Sequence, residues 1–211
     1  MNVVFQEMWG IEDGFGKIEF SGRTDRFILH GALEAHGIDG DFESHLSAFT
    51  SRYSELLPST LEEMDGKLMP GFPQMLEMLS STPGVRLGLA TGNFTAGARH
   101  KLRYYGIDRF FAAEDGGLLG GFGEESLDRS DVVSAAIQRL APGTAPRDVL
   151  VIGDTPKDIA AALDNGVTAV GVATGNYSNA ELHGSGAHLV FDDFSDWEGS
   201  AVALLGRSSV P

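Results

Sequence analysis

Beyond residue 66, short apolar runs alternate with segments of helical periodicity. The apolar runs predict strands at residues 85–90, 149–152, 168–173 and 188–191, and the periodic segments predict helices at residues 73–81, 95–105, 131–140 and 156–165. Strands that are joined through helices form parallel sheets with right-handed crossovers. Strands as apolar as these are usually covered on both faces. The sequence therefore predicts a three-layer α/β core built on a parallel sheet.

The first part of the chain has a different pattern. Helical spacing of apolar residues predicts helices at residues 27–36 and 42–57. The pattern of residues 1–9 indicates the end of another helix. Only residues 17–20 indicate a short extended piece. Pro58 and the stretch from Gly66 to Gly71 are typical of the end of such a region. We therefore predict a helical subdomain over residues 1–65 and the α/β core over residues 66–211.

Composition excludes several classes of protein. Lys and Arg total 15 and Asp and Glu total 30, so the formal charge of −15 makes nucleic acid an unsuitable partner. Cysteine is absent, which excludes disulfides, thiolate metal sites and cysteine nucleophiles. No apolar run approaches the roughly 20 residues of a membrane span, and the N-terminus lacks the pattern of a signal peptide. We expect a cytoplasmic globular protein without a membrane partner.

The segment from Val149 to Asp158 combines a predicted strand with acidic residues at its end. Asp154 stands at the strand tip and Asp158 on the first turn of the next helix, so the two carboxylates can face one small volume. Such a pair suits Mg²⁺, which takes one or two carboxylates together with water and substrate phosphate. The alternative is structural: Thr155, Pro156 and Asp158 also make a good helix start. Both interpretations stay open for Asp158.

A second strand end carries Thr91, Gly92 and Asn93. A hydroxyl and free N–H groups at the start of a helix suit a phosphate, although Asn93 can also cap the helix that follows. Lys101 lies in the basic stretch from Ala98 to Arg103, which is either a solvated helix face or a source of one inward lysine that neutralises phosphate. Ligands bind beyond the carboxyl ends of the strands in such sheets, which is where both motifs fall.

Taken together, the segments 91–93 and 153–158 resemble the phosphate-binding and metal-binding motifs of the haloacid dehalogenase superfamily, in its phosphoglycolate-phosphatase-like branch. The resemblance implies a Rossmann-like core with a helical cap. It implies that Thr91, Gly92 and Asn93 hold phosphate, that Lys101 and Thr91 act in catalysis, and that Asp154 and Asp158 serve Mg²⁺. Residues 20–25 resemble part of the cap, where Arg23 is a candidate substrate ligand; the alternative is a surface Arg23 beside a helix cap at Thr24.

The resemblance also implies a nucleophilic aspartate at the end of the first strand, and this residue is not found in the chain. The segment that comes nearest to the expected motif runs from Gly10 to Phe15, and Ile11 would occupy the position of the nucleophile in it. Residues 1–9 instead resemble the first cap helix, so we expect the chain to begin inside the cap. The expected first strand lies between the strands that end at Thr91 and Asp154, and covalent catalysis fails without its aspartate.

The sequence thus predicts a Mg²⁺-dependent phosphohydrolase that acts on a small phosphate monoester. Because the nucleophilic aspartate is missing, we expect this chain to be inactive. We expect a small phosphorylated metabolite as the partner and a monomer or homodimer. The superfamily also includes dehalogenases and phosphonatases, but a dehalogenase needs no metal, so the pair Asp154 and Asp158 favours a phosphatase. The alternative from another class is a non-catalytic module that keeps a phosphate and metal pocket.

Overall fold

The structure is a computed structural model that describes residues 1–206. Its helices are α1 (Asn2–Trp9), α2 (Asp25–Ala35), α3 (Phe42–Glu63), α4 (Phe72–Ser81), α5 (Thr95–Tyr104), α6 (Arg129–Leu140), α7 (Pro156–Asp164), α8 (Asn179–Gly184) and α9 (Trp197–Leu205). Its strands are β1 (Leu89–Ala90), β2 (Gly120–Gly121), β3 (Leu150–Gly153), β4 (Thr168–Val172) and β5 (Leu189–Phe191). Residues 207–211 of the predicted core lie outside the described residues. No helix within residues 1–206 is long and apolar enough to cross a membrane.

Helices α1 to α3 pack around one aromatic cluster. Phe5, Phe15 and Phe49 are fully or almost fully buried in it, and ring contacts connect Phe49 with both Phe15 and Phe94. Phe94 comes from the loop before α5, so the cluster joins this helical part to the rest of the molecule. The predicted boundary at residue 65 stays a prediction; α3 ends at Glu63.

The strands form two parallel sheets, with the orders β1-β2 and β3-β4-β5. Strand β4 is the middle strand of the larger sheet and is buried along almost its whole length. Helices α4 and α9 pack on one face of this sheet, around Met75, Val170 and Leu204. Helices α7 and α8 pack on the other face, around Ile159, Ala169 and Leu182. The predicted three-layer α/β architecture with parallel strands is confirmed.

Several predicted elements differ in extent. Of the strand predicted at residues 85–90, only Leu89 and Ala90 pair with a neighbouring strand, opposite Gly120 and Gly121 of β2. Strand β3 is covered less than its apolar sequence predicts, and Ile152 is 41% exposed. Within the described residues, β3 pairs with β4 alone, so one of its edges has no strand beside it.

The predicted extended piece at residues 17–20 is wrong. This segment forms turns and irregular structure, and the N–H of Ile18 closes a turn onto the carbonyl of Phe15. Helix α3 also continues past Pro58, where the sequence indicated an end. Leu61 is buried one turn further on, which extends the apolar stripe of the helix and offsets the hydrogen bond that proline removes.

Candidate active site

The loop after β1 carries the predicted phosphate-binding residues. The hydroxyl oxygen of Thr91 accepts hydrogen bonds from both the backbone N–H and the side-chain amide of Asn93, each 3.1 Å long. The N–H of Asn93 is therefore engaged within the loop. Asn93 does not cap α5, since the residue at the cap position is Phe94. The side chain of Asn93 faces Thr91 instead.

Lys101 lies on α5 and points inward. Its ammonium group donates a hydrogen bond to the side-chain oxygen of Asn93. Burial lowers the pKa of Lys101 from 10.5, and the charge of Asp25 opposes this shift. Arg103 on the same helix is exposed, as a solvated face predicts. The structure thus joins Thr91, Asn93 and Lys101 in one hydrogen-bonded chain at the carboxyl end of β1.

The segment from Gly22 to Asp25 lies directly against this loop. The N–H of Asp25 donates to the carbonyl of Gly92 over 2.6 Å. A Cβ atom on Gly92 would overlap the backbone oxygen of Arg23, so this close approach requires glycine. Gly22 has a φ of +65°, and a Cβ there would lie 2.6 Å from the hydroxyl of Thr155. The segment therefore touches the loops that follow both β1 and β3.

Asp25 is a site residue that the sequence did not identify. Its carboxylate is buried and accepts a 2.9 Å hydrogen bond from the backbone N–H of Phe94. Burial raises the pKa of Asp25 from 3.8. In sequence, Asp25 is an ordinary acidic residue in the first turn of a helix, whose electrostatics it suits. Its second role depends on a contact 69 residues away.

The structural interpretation of Thr155 and Asp158 is confirmed. The two residues form a capping box at the start of α7, in which the Asp158 carboxylate accepts bonds from the N–H (3.1 Å) and the hydroxyl (2.8 Å) of Thr155. The other carboxylate oxygen of Asp158 accepts a 3.0 Å hydrogen bond from Nε of Arg129 and forms an ion pair with a terminal guanidinium nitrogen of Arg129 at 2.8 Å. Asp158 is therefore a buried, fully paired carboxylate.

Asp154 has a different environment from Asp158. It keeps an exposed face at the end of β3, and a Cβ on Gly175 would overlap its carboxylate, so the loop after β4 passes close by. Partial burial and the charge of Asp158 raise the pKa of the Asp154 carboxyl above 3.8. A cation beside Asp154 would relieve this repulsion.

The donor set fits Mg²⁺ through Asp154. Within residues 1–206, no three His, Asp or Glu side chains converge to form a metal cage. Mg²⁺ does not require one, since it keeps several waters and often binds through one or two carboxylates. Asp154 is the accessible carboxylate of the two, whereas Asp158 is buried and held by Thr155 and Arg129.

Arg23 lines a crevice of about 540 Å³ between α2 and the starts of α6 and α7. Its guanidinium lies over the ring of Phe27 at 4.2 Å and pairs with Glu19 at 3.2 Å. The predicted cap at Thr24 is confirmed, since its hydroxyl oxygen accepts from the N–H of Phe27. Arg129 and Lys157 line the same crevice, whereas Lys101 does not.

Comparison with known proteins indicates the family of this chain. The model of the haloacid dehalogenase-like hydrolases matches residues 8–166. The chain is 30% identical over 155 residues to a phosphoglycolate phosphatase of Haemophilus influenzae, which covers 72% of the chain and 65% of that protein. It is 28% identical over 151 residues to the probable phosphatase IndB of Dickeya dadantii, covering 72% and 63%. Each match spans just under two thirds of the relative's length.

Solved structures share the fold. A hydrolase from Pseudomonas syringae superposes with a TM-score of 0.61 at 21% identity, over 93% of this chain and 90% of that one. The resemblance to the phosphoglycolate-phosphatase-like branch is confirmed, and the chain belongs to the haloacid dehalogenase-like hydrolase family.

Proposed function

We propose that this site belongs to a phosphohydrolase and binds the phosphate group of small phosphate monoesters. The observation that carries the proposal is the hydrogen-bonded chain from Thr91 through Asn93 to Lys101 at the end of β1. It unites a hydroxyl, an amide and a buried ammonium, which is the chemistry that recognises a phosphate dianion. The phosphoglycolate phosphatase relative supports a small phosphorylated metabolite as the substrate.

In this proposal, Lys101 neutralises charge on the phosphate oxygens. Its burial makes each unit of charge more effective than it would be in water. Thr91 and Asn93 orient the phosphate and fix the position of the ammonium group. The segment from Gly22 to Asp25 covers the loop and excludes water from it.

Asp154 would hold Mg²⁺, and Asp158 would orient the waters around it. Bound there, the ion supplies positive charge to the phosphate oxygens. This assignment rests on the exposed face of Asp154 and on its raised carboxyl pKa, both of which favour a neighbouring cation.

Covalent phosphoryl transfer also needs a carboxylate acceptor. The resemblance places that acceptor where this chain has Ile11, whose side chain packs against the aromatic cluster of α1 to α3. We therefore propose that this chain binds phosphate without turning over an ester. The second candidate function is a non-catalytic module that keeps the phosphate and metal pocket. One observation favours it: both carboxylate oxygens of Asp158 already have partners within the protein, Thr155 and Arg129.

Calorimetric titration of the 211-residue chain with inorganic phosphate tests the site. We expect binding that weakens in Lys101→Met and, with Mg²⁺ present, in Asp154→Asn. Hydrolysis of p-nitrophenyl phosphate is measured on the same samples, and we expect it to stay at background. Failure to bind phosphate would refute the proposed site. Mg²⁺-dependent hydrolysis that disappears in Asp154→Asn would refute the proposed lack of an acceptor.

A further inference from the structure

Two loops of the smaller sheet lie against each other at the candidate phosphate site. One is the loop after β1, which carries Thr91 and Asn93, and the other is the loop after β2, residues 122–125. The backbone N–H of Gly123 donates a 2.8 Å hydrogen bond to the carbonyl of Asn93. A Cβ atom on Gly123 would lie 1.7 Å from the carbonyl oxygen of Gly92, so this close approach requires glycine. The loop after β2 therefore holds the backbone of the loop after β1.

Glu124 adds a side-chain contact at the start of α5. Its two carboxylate oxygens accept hydrogen bonds from the backbone N–H of Thr95, at 2.9 and 3.1 Å, and one of them also binds the Thr95 hydroxyl. Thr95 is the first residue of α5, and an N–H at that position has no partner within its own helix. A carboxylate at this end also suits the helix dipole. Glu124 thus serves as the cap of α5, although it lies 29 positions from Thr95 in the sequence.

Helix α2 binds the same part of the molecule. The N–H of Phe94, the residue before α5, is bound by the carboxylate of Asp25 at the start of α2. The next residue, Arg26, donates its backbone N–H to the carbonyl of Gly123 (3.3 Å) and its guanidinium to the carbonyl of Glu124 (2.9 Å). The start of α5 is therefore held by both α2 and the loop after β2, and these two holders are bound to each other.

These contacts bear on phosphate because Lys101 depends on them. Its ammonium group is carried by α5, whose first residue is held by Glu124, and it binds the side chain of Asn93, whose carbonyl is held by Gly123. The stem of a lysine is flexible, so the position of its ammonium is set by the backbone that carries it and by the group that it binds. A misplacement of about 1 Å in such a group can cost about a hundredfold.

We propose that Glu124 is a positioning residue for phosphate recognition: by holding the start of α5, it keeps the ammonium group of Lys101 aligned with Thr91 and Asn93. The proposal rests on the phosphate site proposed above. The charge of Glu124 by itself would repel a phosphate dianion. Electrostatics alone therefore predicts tighter phosphate binding when Glu124 is removed, whereas positioning predicts weaker binding.

The first test is calorimetric titration of the full chain with inorganic phosphate. Glu124→Ala should lower the affinity about tenfold, within what a misplaced group can cost. Glu124→Gln keeps an oxygen that accepts from Thr95, so it should bind phosphate much more tightly than Glu124→Ala. An affinity in Glu124→Ala equal to or higher than that of the wild type would overturn the proposal.

Asp41→Ala is the matched control for Glu124→Ala. The Asp41 carboxylate accepts from the N–H and the hydroxyl of Ser44 at the start of α3, which are the same kinds of bonds that Glu124 makes with Thr95. Asp41→Ala should leave phosphate affinity unchanged. A similar loss in both variants would mean that a missing helix cap weakens binding wherever it lies, and would overturn the specific role of Glu124.

The second test asks whether Glu124 acts through Lys101. In a Lys101→Met background, Glu124→Ala should cause little further loss of phosphate affinity, because the ammonium group that Glu124 positions is absent. An equal loss in both backgrounds would indicate a general structural effect and overturn the proposal.

A third readout needs no phosphate. The Nζ signal of Lys101 in nitrogen-15 nuclear magnetic resonance should shift in Glu124→Ala and stay in place in Asp41→Ala. If the wild type binds phosphate while Glu124→Ala changes neither this signal nor the affinity, the role of Glu124 is refuted and the phosphate site stands. A wild-type chain that binds no phosphate would refute the proposed function, and this inference with it.

Discussion

Asp25 and Phe94 are joined by a 2.9 Å hydrogen bond from the backbone N–H of Phe94 to the Asp25 carboxylate. The return contact runs from the N–H of Asp25 to the carbonyl of Gly92, two residues before Phe94. These reciprocal bonds connect the start of α2 to the loop that carries Thr91 and Asn93. They hold the helical part of the molecule against the candidate phosphate site.

The buried Asp25 carboxyl should make stability depend on pH. Its pKa is raised in the folded state, so between 3.8 and the raised pKa the folded chain binds a proton that the unfolded chain has lost. This contribution to stability is present at low pH and is lost as pH rises through the folded pKa. Asp25→Asn keeps an acceptor for Phe94 but cannot ionise, so its stability should fall less over this range. Urea unfolding at a series of pH values measures the difference.

Asp41 provides the matched comparison for Asp25. It caps α3 at an exposed position, and its hydrogen bonds with Ser44 lower the pKa of its carboxyl. Its contribution is therefore present above 3.8 and is lost as pH falls, which is the opposite direction. Equal pH slopes for the wild type and Asp25→Asn would show that Asp25 is not the group responsible.

Replacing Lys101 should weaken phosphate binding. A hydrogen bond to a charged group is worth about 1.5–3 kcal/mol, so Lys101→Met should lower phosphate affinity by tenfold to a hundredfold. Arg103→Met removes a cation from the exposed face of the same helix and should have little effect. Calorimetry with inorganic phosphate separates the two variants. Similar losses in both would indicate a general effect of charge rather than a specific ligand at Lys101.

Phosphate binding should also weaken at alkaline pH. Burial lowers the pKa of Lys101 from its ordinary value of 10.5. As pH rises, Lys101 therefore loses its positive charge at a lower pH than an ordinary lysine does. Lys101→Arg stays charged over this range. Its affinity, although reduced by the change in geometry, should show a flatter alkaline dependence than that of the wild type. Parallel titration curves for the two proteins would contradict the assignment.

Phe49 should be the most costly residue to truncate in the helical part. Its ring is fully buried and lies in contact with Tyr53, Phe15 and Phe94. Phe49→Ala should lower the free energy of unfolding by about 3–5 kcal/mol. Val3→Ala, at a position 61% exposed on α1, should change it by less than about 0.5 kcal/mol. Urea unfolding checks both values, and a loss below about 1 kcal/mol for Phe49→Ala would mean that the cluster closes over the gap.

Local sequence was informative where the relevant groups are close along the chain. The capping box joins Thr155 and Asp158, three positions apart, and a hydrogen bond joins Asn93 and Thr91, two positions apart. The inward position of Lys101 was one of two interpretations that the sequence left open, and its hydrogen bond to Asn93 decides between them. The same reasoning failed at Pro58, because the burial of Leu61 depends on packing against other helices.

The sequence by itself determined the α/β class, the parallel strands, the family and the two strand-end motifs, because each depends on periodicity or on neighbours within a few residues. Tertiary structure alone decided that Asp25 binds Phe94 and that Arg129 binds both Ala90 and Asp158. These contacts join residues 29 to 69 positions apart. Such partners are chosen by how the helices pack on the sheets, and the free energy of burying and pairing their charges exists only in the folded molecule.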